Sequence, residues 1–287
     1  MISAEIPPRL AEVASLADRN PVPNGARIVD AADLDPTGIM EFLAAELRPI
    51  VIRRYLKGTP LENLTFERVR LTAGGHWLSA ADKPRIASKV YSDGLDSKPM
   101  LLRDYLDNDV LAPGRADPAL YEKYRNLRIS KGFRKDLGLI RPSFLPREEV
   151  NLPCIWIGAD GSSTCLHTDP NDNFVVVCIG TKRFHLFPPS DLRWLYLGQV
   201  SNSALLTSPI DPRNPDLDRY PDFRHAHGTT VELEAGDLFF LPLGWAHFVE
   251  SPTASFTYNY WLKPDARPFF KRTPSRSISP AQSGGGN

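Results

Sequence analysis

Cysteine is scarce in this chain: three among 287 residues, Cys154, Cys165 and Cys178, with no CxxC spacing. A disulfide scaffold and a zinc-ribbon or CxxC redox centre are thereby excluded, and each thiol, lying in an apolar or strand-like stretch, reads as a buried one suited to a reducing compartment. An excess of either charge is also lacking, since Lys+Arg and Asp+Glu both number 34 and neither forms a long run. This removes the electrostatic footprint of a dedicated nucleic-acid or membrane-surface binder, so neither nucleic acid nor membrane is expected as a partner. No run of about 18 apolar residues occurs, and the first residues, MISAEIPPRLAEV, carry acids and prolines where a secretory signal needs a basic start and an apolar stretch. The expected location is the cytoplasm.

What is present is an average globular composition, 42% apolar and 24% charged, which argues against disorder or a fibrous repeat over most of the length. No internal repeat is visible. Residues 1–85 read as a mixed α/β segment packing on the core. It comprises a helical pattern over 6–17, a strand near 26–29, a helix over 35–47 with Pro36 in its first turn, a strand over 49–53, and a helix over 64–73 capped by Thr65. From residue 86 the texture changes to short strands, with a helix predicted over 99–106. Between Ile155 and Trp261 the strands crowd together with turn residues between them, the spacing of a sandwich or barrel. Residues 86–264 are therefore expected to form an all-β core with flanking helices, and 265–287, rich in Pro, Ser and Gly, a disordered tail.

In Ser163-Thr164-Cys165-Leu166-His167-Thr168-Asp169 the histidine and the aspartate stand two apart, so on a strand both leave the same face and can share one ion. By itself HxD is a weak signal, more often a surface pair or a strand-end hydrogen bond. A distant third ligand is supplied by His247, which ends an apolar run punctuated by Pro242 and Gly244. Two histidines and a carboxylate suit non-haem Fe(II) with open coordination positions. His225 and His227, an HxH in a polar loop, are the fallback ligands. His76, beside Gly74 and Gly75, reads as structural.

Residues 173–179 and 182–186 read as two strands joined by Gly180-Thr181 in a two-residue hairpin, pairing Ile179 with Lys182 and Val177 with Phe184. Alternation then puts Lys182 on the apolar face with Val175, Val177, Phe184 and Leu186, and His185 on the opposite one. A buried ammonium needs a counter-charge that the hairpin lacks, which a bound carboxylate would provide. The alternative is a turn lysine pointing to solvent.

From about Pro99 to Lys263 the chain resembles the JmjC or cupin-like Fe(II)/2-oxoglutarate oxygenases, most closely their asparaginyl hydroxylases. The resemblance is carried by Thr164 to Asp169, Asn173-Phe174, Gly180 to Arg183 with Leu186-Phe187-Pro188-Pro189, Leu241 to His247, and Asn259-Tyr260-Trp261. It implies a double-stranded β-helix, the jelly roll of the cupin/JmjC type, holding Fe(II) on His167, Asp169 and His247. It further implies that Lys182 binds the distal carboxylate of 2-oxoglutarate, with Thr164, Asn173 and Asn259 around it and Tyr124, or Tyr121 one turn away, as a hydrogen-bond donor. The implied reaction uses O2 to hydroxylate a peptide or protein side chain. Small-molecule hydroxylation, lysine demethylation and a non-redox metal cupin are the alternatives, and a homodimer is left open.

Overall fold

Strands that are apolar on both faces need cover on both sides, and Asn173-Phe174-Val175-Val176-Val177-Cys178-Ile179 is such a strand. The protein satisfies it by stacking two sheets between outer layers of helix and loop. The computed structural model describes residues 8–19, 23–35, 38–39, 42–43, 47–81, 97–112, 131–145, 147–150, 153–199 and 205–263. The helix expected over 35–47 falls only partly within these, and Tyr121, Tyr124 and the tail over 265–287 fall outside them.

Helix α1 (Pro8–Arg19) is followed by β1 (Arg27–Asp30), β2 (Ile50–Arg53), α2 (Phe66–Ala73), β3 (Trp77–Ala81), β4 (Ser97–Leu101), α3 (Leu102–Tyr105) and α4 (Lys131–Leu137). Then come β5 (Cys154–Gly158), β6 (Ser162–Thr168), β7 (Asn173–Ile179), β8 (Lys182–Phe187), β9 (Gly198–Gln199), β10 (Leu206–Thr207), β11 (Thr229–Leu233), β12 (Leu238–Leu241), β13 (Ala246–Ser251) and β14 (Ser255–Trp261). One six-stranded sheet has the order β1-β2-β12-β7-β14-β5 and the other β11-β8-β13-β6-β10-β9. The chain changes sheet at each step from β5 to β8 and again from β11 to β14, which is the winding of a double-stranded β-helix. The β1 and β2 strands add directly to the first sheet, so the N-terminal residues help build the jelly roll.

Three apolar layers result. Val51, Val175, Val177, Phe184, Leu186, Leu233 and Phe239 fill the space between the sheets. Phe174, Val176, Phe240 and Tyr258 cover the outer face of the first sheet together with Val69, Leu102, Phe133 and Leu137 from the helices. Leu166, Phe187 and Phe248 on the outer face of the second pack on Leu10 and Val13 of α1. The predicted cap of α2 is in place, Thr65 Oγ1 accepting from Arg68 N at 3.2 Å. The helix predicted over 99–106 begins only at Leu102. Pro99 instead lies on β4, paired with β3, and the N–H groups of Leu102 and Arg103 are taken by the carbonyls of His76 and Gly74.

The hairpin expected at Gly180-Thr181 does not form. The β7 strand pairs with β12 and β14, and β8 with β11 and β13, so the dipeptide is a corner between sheets. An edge pairing with β8 would have replaced a neighbour that β7, apolar on both faces, needs. The inward alternation survives because facing sheets bury the same parity that a hairpin would have shared. Gly180 has φ +73°, and a Cβ there would meet Ala254 O at 2.1 Å, while Thr181 N donates to Thr253 Oγ1 at 2.9 Å. Gly180→Ala is therefore expected to cost about 2–4 kcal/mol of unfolding free energy, from left-handed strain and a clash with backbone. Urea denaturation reads this, and a change within about 0.5 kcal/mol would show that the corner is not tight.

Candidate active site

His167 on β6 and His247 on β13 are direct cross-strand partners, their ring centroids 4.1 Å apart. Each imidazole Nδ1 sits against the carbonyl two residues earlier on its own chain, Cys165 O at 2.7 Å and Trp245 O at 3.1 Å. A ring nitrogen bonded to a carbonyl must carry the proton, so both Nε2 atoms present lone pairs inward. Asp169, just past the end of β6, lies between them, with Oδ1 3.9 Å from His167 Nε2 and Oδ2 3.9 Å from His247 Nε2. These separations exceed a hydrogen bond, whereas two donors each about 2.1 Å from a shared ion stand up to about 4.2 Å apart. The ligating atoms of all three residues fall within 4.8 Å of one another, and all three residues are buried.

The loops around the triad are pinned. Gly244, at φ +92°, makes the turn that delivers His247, and Leu243 N donates to Asp172 Oδ1 at 2.7 Å, tying that turn to the β6–β7 corner. Phe184 lies beside His247, centroids 6.1 Å apart, and gives the site an apolar floor.

Asp169 Oδ2 accepts from Asn173 Nδ2 at 2.7 Å, Asn173 Oδ1 accepts from Asn259 Nδ2 at 2.8 Å, and Asn259 Oδ1 accepts from Trp156 Nε1 at 2.8 Å. Both asparagines thus belong to a chain that ends on a member of the triad. Cys154, opposite Asn259, has its thiol pushed up to about 12 by burial and by the nearby charge of Asp169. Cys165 and Cys178 are likewise buried, and none of the three cysteines is in a disulfide, as the sequence suggested.

Lys182 opens β8 at the other end of the same interior face and is only 6% exposed. Its Nζ donates to Ser251 Oγ at 2.7 Å, and Ser255 Oγ donates to that hydroxyl at 3.2 Å. Among the described residues no carboxylate pairs with it, and burial pushes its pKa from 10.5 down to about 8. Nearby, the Ser162 hydroxyl, opposite Ser251, is buried without a hydrogen-bond partner among the described residues. The solvent-facing alternative for Lys182 is therefore not the one adopted.

Thr164 reaches this face through a bulge. From His247 to Val249 on β13, two steps, β6 takes three, from His167 to Thr164. The extra residue turns Thr164, which regular alternation would send outward, to the side of His167.

The remaining histidines stay apart from the centre. His185 faces outward with Nε2 3.0 Å from Glu250 Oε1, and His76 pairs with Asp136 at 2.8 Å. His225 is exposed against Trp194, and His227 lies 3.3 Å from Asp191, so neither joins a group of three ligands among the described residues. Sequence reading passed over Trp156, Asp172 and Ser251. Period-two alternation puts Trp156 on the face of Cys154, but nothing local points to its partner 103 residues away.

Two facing sheets with a His-Asp-His cluster at one end of their shared interior are the build of a cupin. Residues 36–267 match the cupin-like domain, and the chain belongs to that family, of the JmjC type. Its relatives include HSPB1-associated protein 1 of Homo sapiens, 38% identical over 112 residues, which are 38% of this chain and 23% of that protein. The tRNA wybutosine-synthesizing protein 5 of Gallus gallus is 32% identical over 154 residues, 50% of this chain and 47% of the relative. Lysine-specific demethylase 8 of Danio rerio is 37% identical over 108 residues, 37% and 26% of the two chains. The chain thus spans between about a quarter and about half the length of these curated relatives. The expectation that nucleic acid is not a partner finds no support here, since one relative is named for work on tRNA. Among the described residues no helix is long and apolar enough to cross a membrane.

Proposed function

We propose that this protein is an Fe(II)- and 2-oxoglutarate-dependent oxygenase that hydroxylates a peptide or protein side chain. The observation that carries the reading is the pairing, on one interior face, of a buried two-histidine, one-carboxylate donor set with a buried lysine that lacks an acidic partner among the described residues. The donor set fits Fe(II): both imidazoles are held in the tautomer that binds metal, and three protein ligands leave positions for a chelating co-substrate and O2. The lysine end fits a carboxylate, which would pair with the ammonium and satisfy the orphaned Ser162 hydroxyl.

When bound, Fe(II) with 2-oxoglutarate and O2 supplies an oxidation in which one oxygen atom enters a C–H bond and the other leaves in succinate as CO2 is lost. His167, Asp169 and His247 would hold the iron. Lys182 would orient the co-substrate through its distal carboxylate, with Thr164 on the same face. Val175, Val177, Phe184 and Leu186 keep that interior dry, which strengthens each charge pairing inside it. A metal cupin without redox chemistry has no use for the buried ammonium. Support for a protein substrate comes from the lysine-specific demethylases among the relatives, JMJ31 of Arabidopsis thaliana included.

The test is incubation with Fe(II), 2-oxoglutarate and O2 against peptide libraries, tRNA and metabolite pools, following succinate release and mass. A gain of one oxygen atom on a peptide is expected. Loss of a methyl group, a modified nucleotide or an oxidised metabolite would each replace the peptide hydroxylase reading, and absence of any 2-oxoglutarate turnover would sink the oxygenase itself.

A pH dependence follows. A lysine whose folded pKa is depressed binds fewer protons folded than unfolded between about 8 and 10.5, so the folding penalty of Lys182 is present in full below about pH 8 and is relieved as pH rises. Co-substrate binding has the opposite slope because it needs the ammonium. The affinity for 2-oxoglutarate is expected to fall as pH rises above about 8, with proton uptake on binding that calorimetry in two buffers measures. A flat affinity from pH 7 to 9.5 would remove Lys182 from the co-substrate site.

A further inference from the structure

We infer that Trp156 is a positioning residue that anchors the far end of an amide chain ending on Asp169 and thereby holds Oδ2 of that carboxylate, leaving Oδ1 to face the metal. This deepens the metal-centre reading and rests on it. The chain is Trp156 Nε1 to Asn259 Oδ1 at 2.8 Å, Asn259 Nδ2 to Asn173 Oδ1 at 2.8 Å, and Asn173 Nδ2 to Asp169 Oδ2 at 2.7 Å.

Its polarity follows from its two ends. An indole N–H only donates and an ionised carboxylate only accepts, whereas a primary amide does both and can turn over. With Trp156 donating, Asn259 must offer its carbonyl there and its NH2 to Asn173. Asn173 must then receive with its carbonyl and donate to Asp169. Both amides are buried, so a misplaced end has no water to rescue it. The strand register explains the reach: Trp156 lies opposite Thr257 and Cys154 opposite Asn259, so the indole leans one pair along to find the amide.

The last link matters for the metal. Oδ2 of Asp169 already accepts a hydrogen bond, which draws electron density from it and fixes the carboxylate torsion, so Oδ1 is the better electron-pair donor. Asp169 should then bind through one oxygen, leaving another coordination position open. Without the indole N–H, Asp169 still keeps the NH2 of Asn173 turned toward it, but the buried Asn259 Oδ1 loses its donor. The amides then shift to recover one, and their hold on Oδ2 loosens.

The experiment uses the full chain, with Co(II) titrated into wild type, Trp156→Phe and Trp156→3-benzothienylalanine, the last of which keeps the shape of the side chain and replaces N–H by sulfur. Visible absorbance reports both affinity and ligand geometry. Loss of the donor, two hydrogen bonds removed from Asp169, is expected to weaken Co(II) binding by roughly 3- to 10-fold in both variants and to change the d–d bands, less than the roughly 10- to 100-fold that direct outer partners of metal ligands contribute. A benzothienyl variant with wild-type affinity and a superimposable spectrum overturns the inference, whether or not Trp156→Phe is impaired, because the role would then be packing. Failure of wild type to bind Co(II) or Fe(II) at all would instead overturn the metal-centre reading, and the inference with it.

Discussion

His167→Ala, Asp169→Ala and His247→Ala are each expected to abolish 2-oxoglutarate turnover and to weaken Fe(II) binding by more than about 100-fold, since even outer partners of metal ligands contribute 10- to 100-fold. Three donors converge here with ligand atoms within 4.8 Å, and two donors do not hold Fe(II) against water. Asp169→Ala carries a second penalty, because it strands the buried Asn173 amide that donates to Oδ2. Fe(II) titration followed by turnover separates loss of metal from loss of chemistry. Near-wild-type turnover in any of the three, with damage from substitutions at His225 and His227 instead, would move the centre to the polar loop.

Lys182→Met should raise the apparent KM for 2-oxoglutarate by roughly 30- to 150-fold, the equivalent of a charge-assisted bond worth about 2–3 kcal/mol, and leave Fe(II) affinity nearly unchanged. Met keeps the length and the apolar stem and removes the ammonium. The same change is expected to hold or raise the stability of the ligand-free protein at pH 7, because the wild-type lysine there is charged and buried with, among the described residues, a single hydroxyl partner. Weaker co-substrate binding alongside undiminished stability is the signature of a group kept for its ligand. Equal 2-oxoglutarate affinity in both proteins would remove the assignment and raise the non-redox cupin above it. Lys182→Arg keeps the charge and should be partly tolerated.

Much of this site was legible along the chain. The two-residue step from His167 to Asp169 puts both on one side of the chain, although the strand itself ends at Thr168, and Gly244 between Pro242 and His247 marks a tight turn. The parity of Val175, Val177, Phe184 and Leu186 puts Lys182 inside. These are consequences of strand periodicity and backbone freedom, which act over a few residues and depend little on what the strand packs against.

Other features were decided only when the sheets assembled. Alternation correctly put Lys182 indoors yet assigned β7 and β8 to one hairpin, because a turn dipeptide does not say whether the next strand stays in its sheet or crosses to the facing one. Thr164 joins His167 through a bulge, an extra residue visible only in the register against β13. Asn173 and Asn259 were expected around the co-substrate carboxylate, and the link that they form from Trp156 to Asp169 appears only with the strand pairing. Periodicity determined which way each side chain points from its own strand. Which side chains then meet depended on strand pairing across 80 to 103 residues, from His167 to His247 and from Trp156 to Asn259, where partners are chosen by burial of whole faces and no local pattern carries the choice.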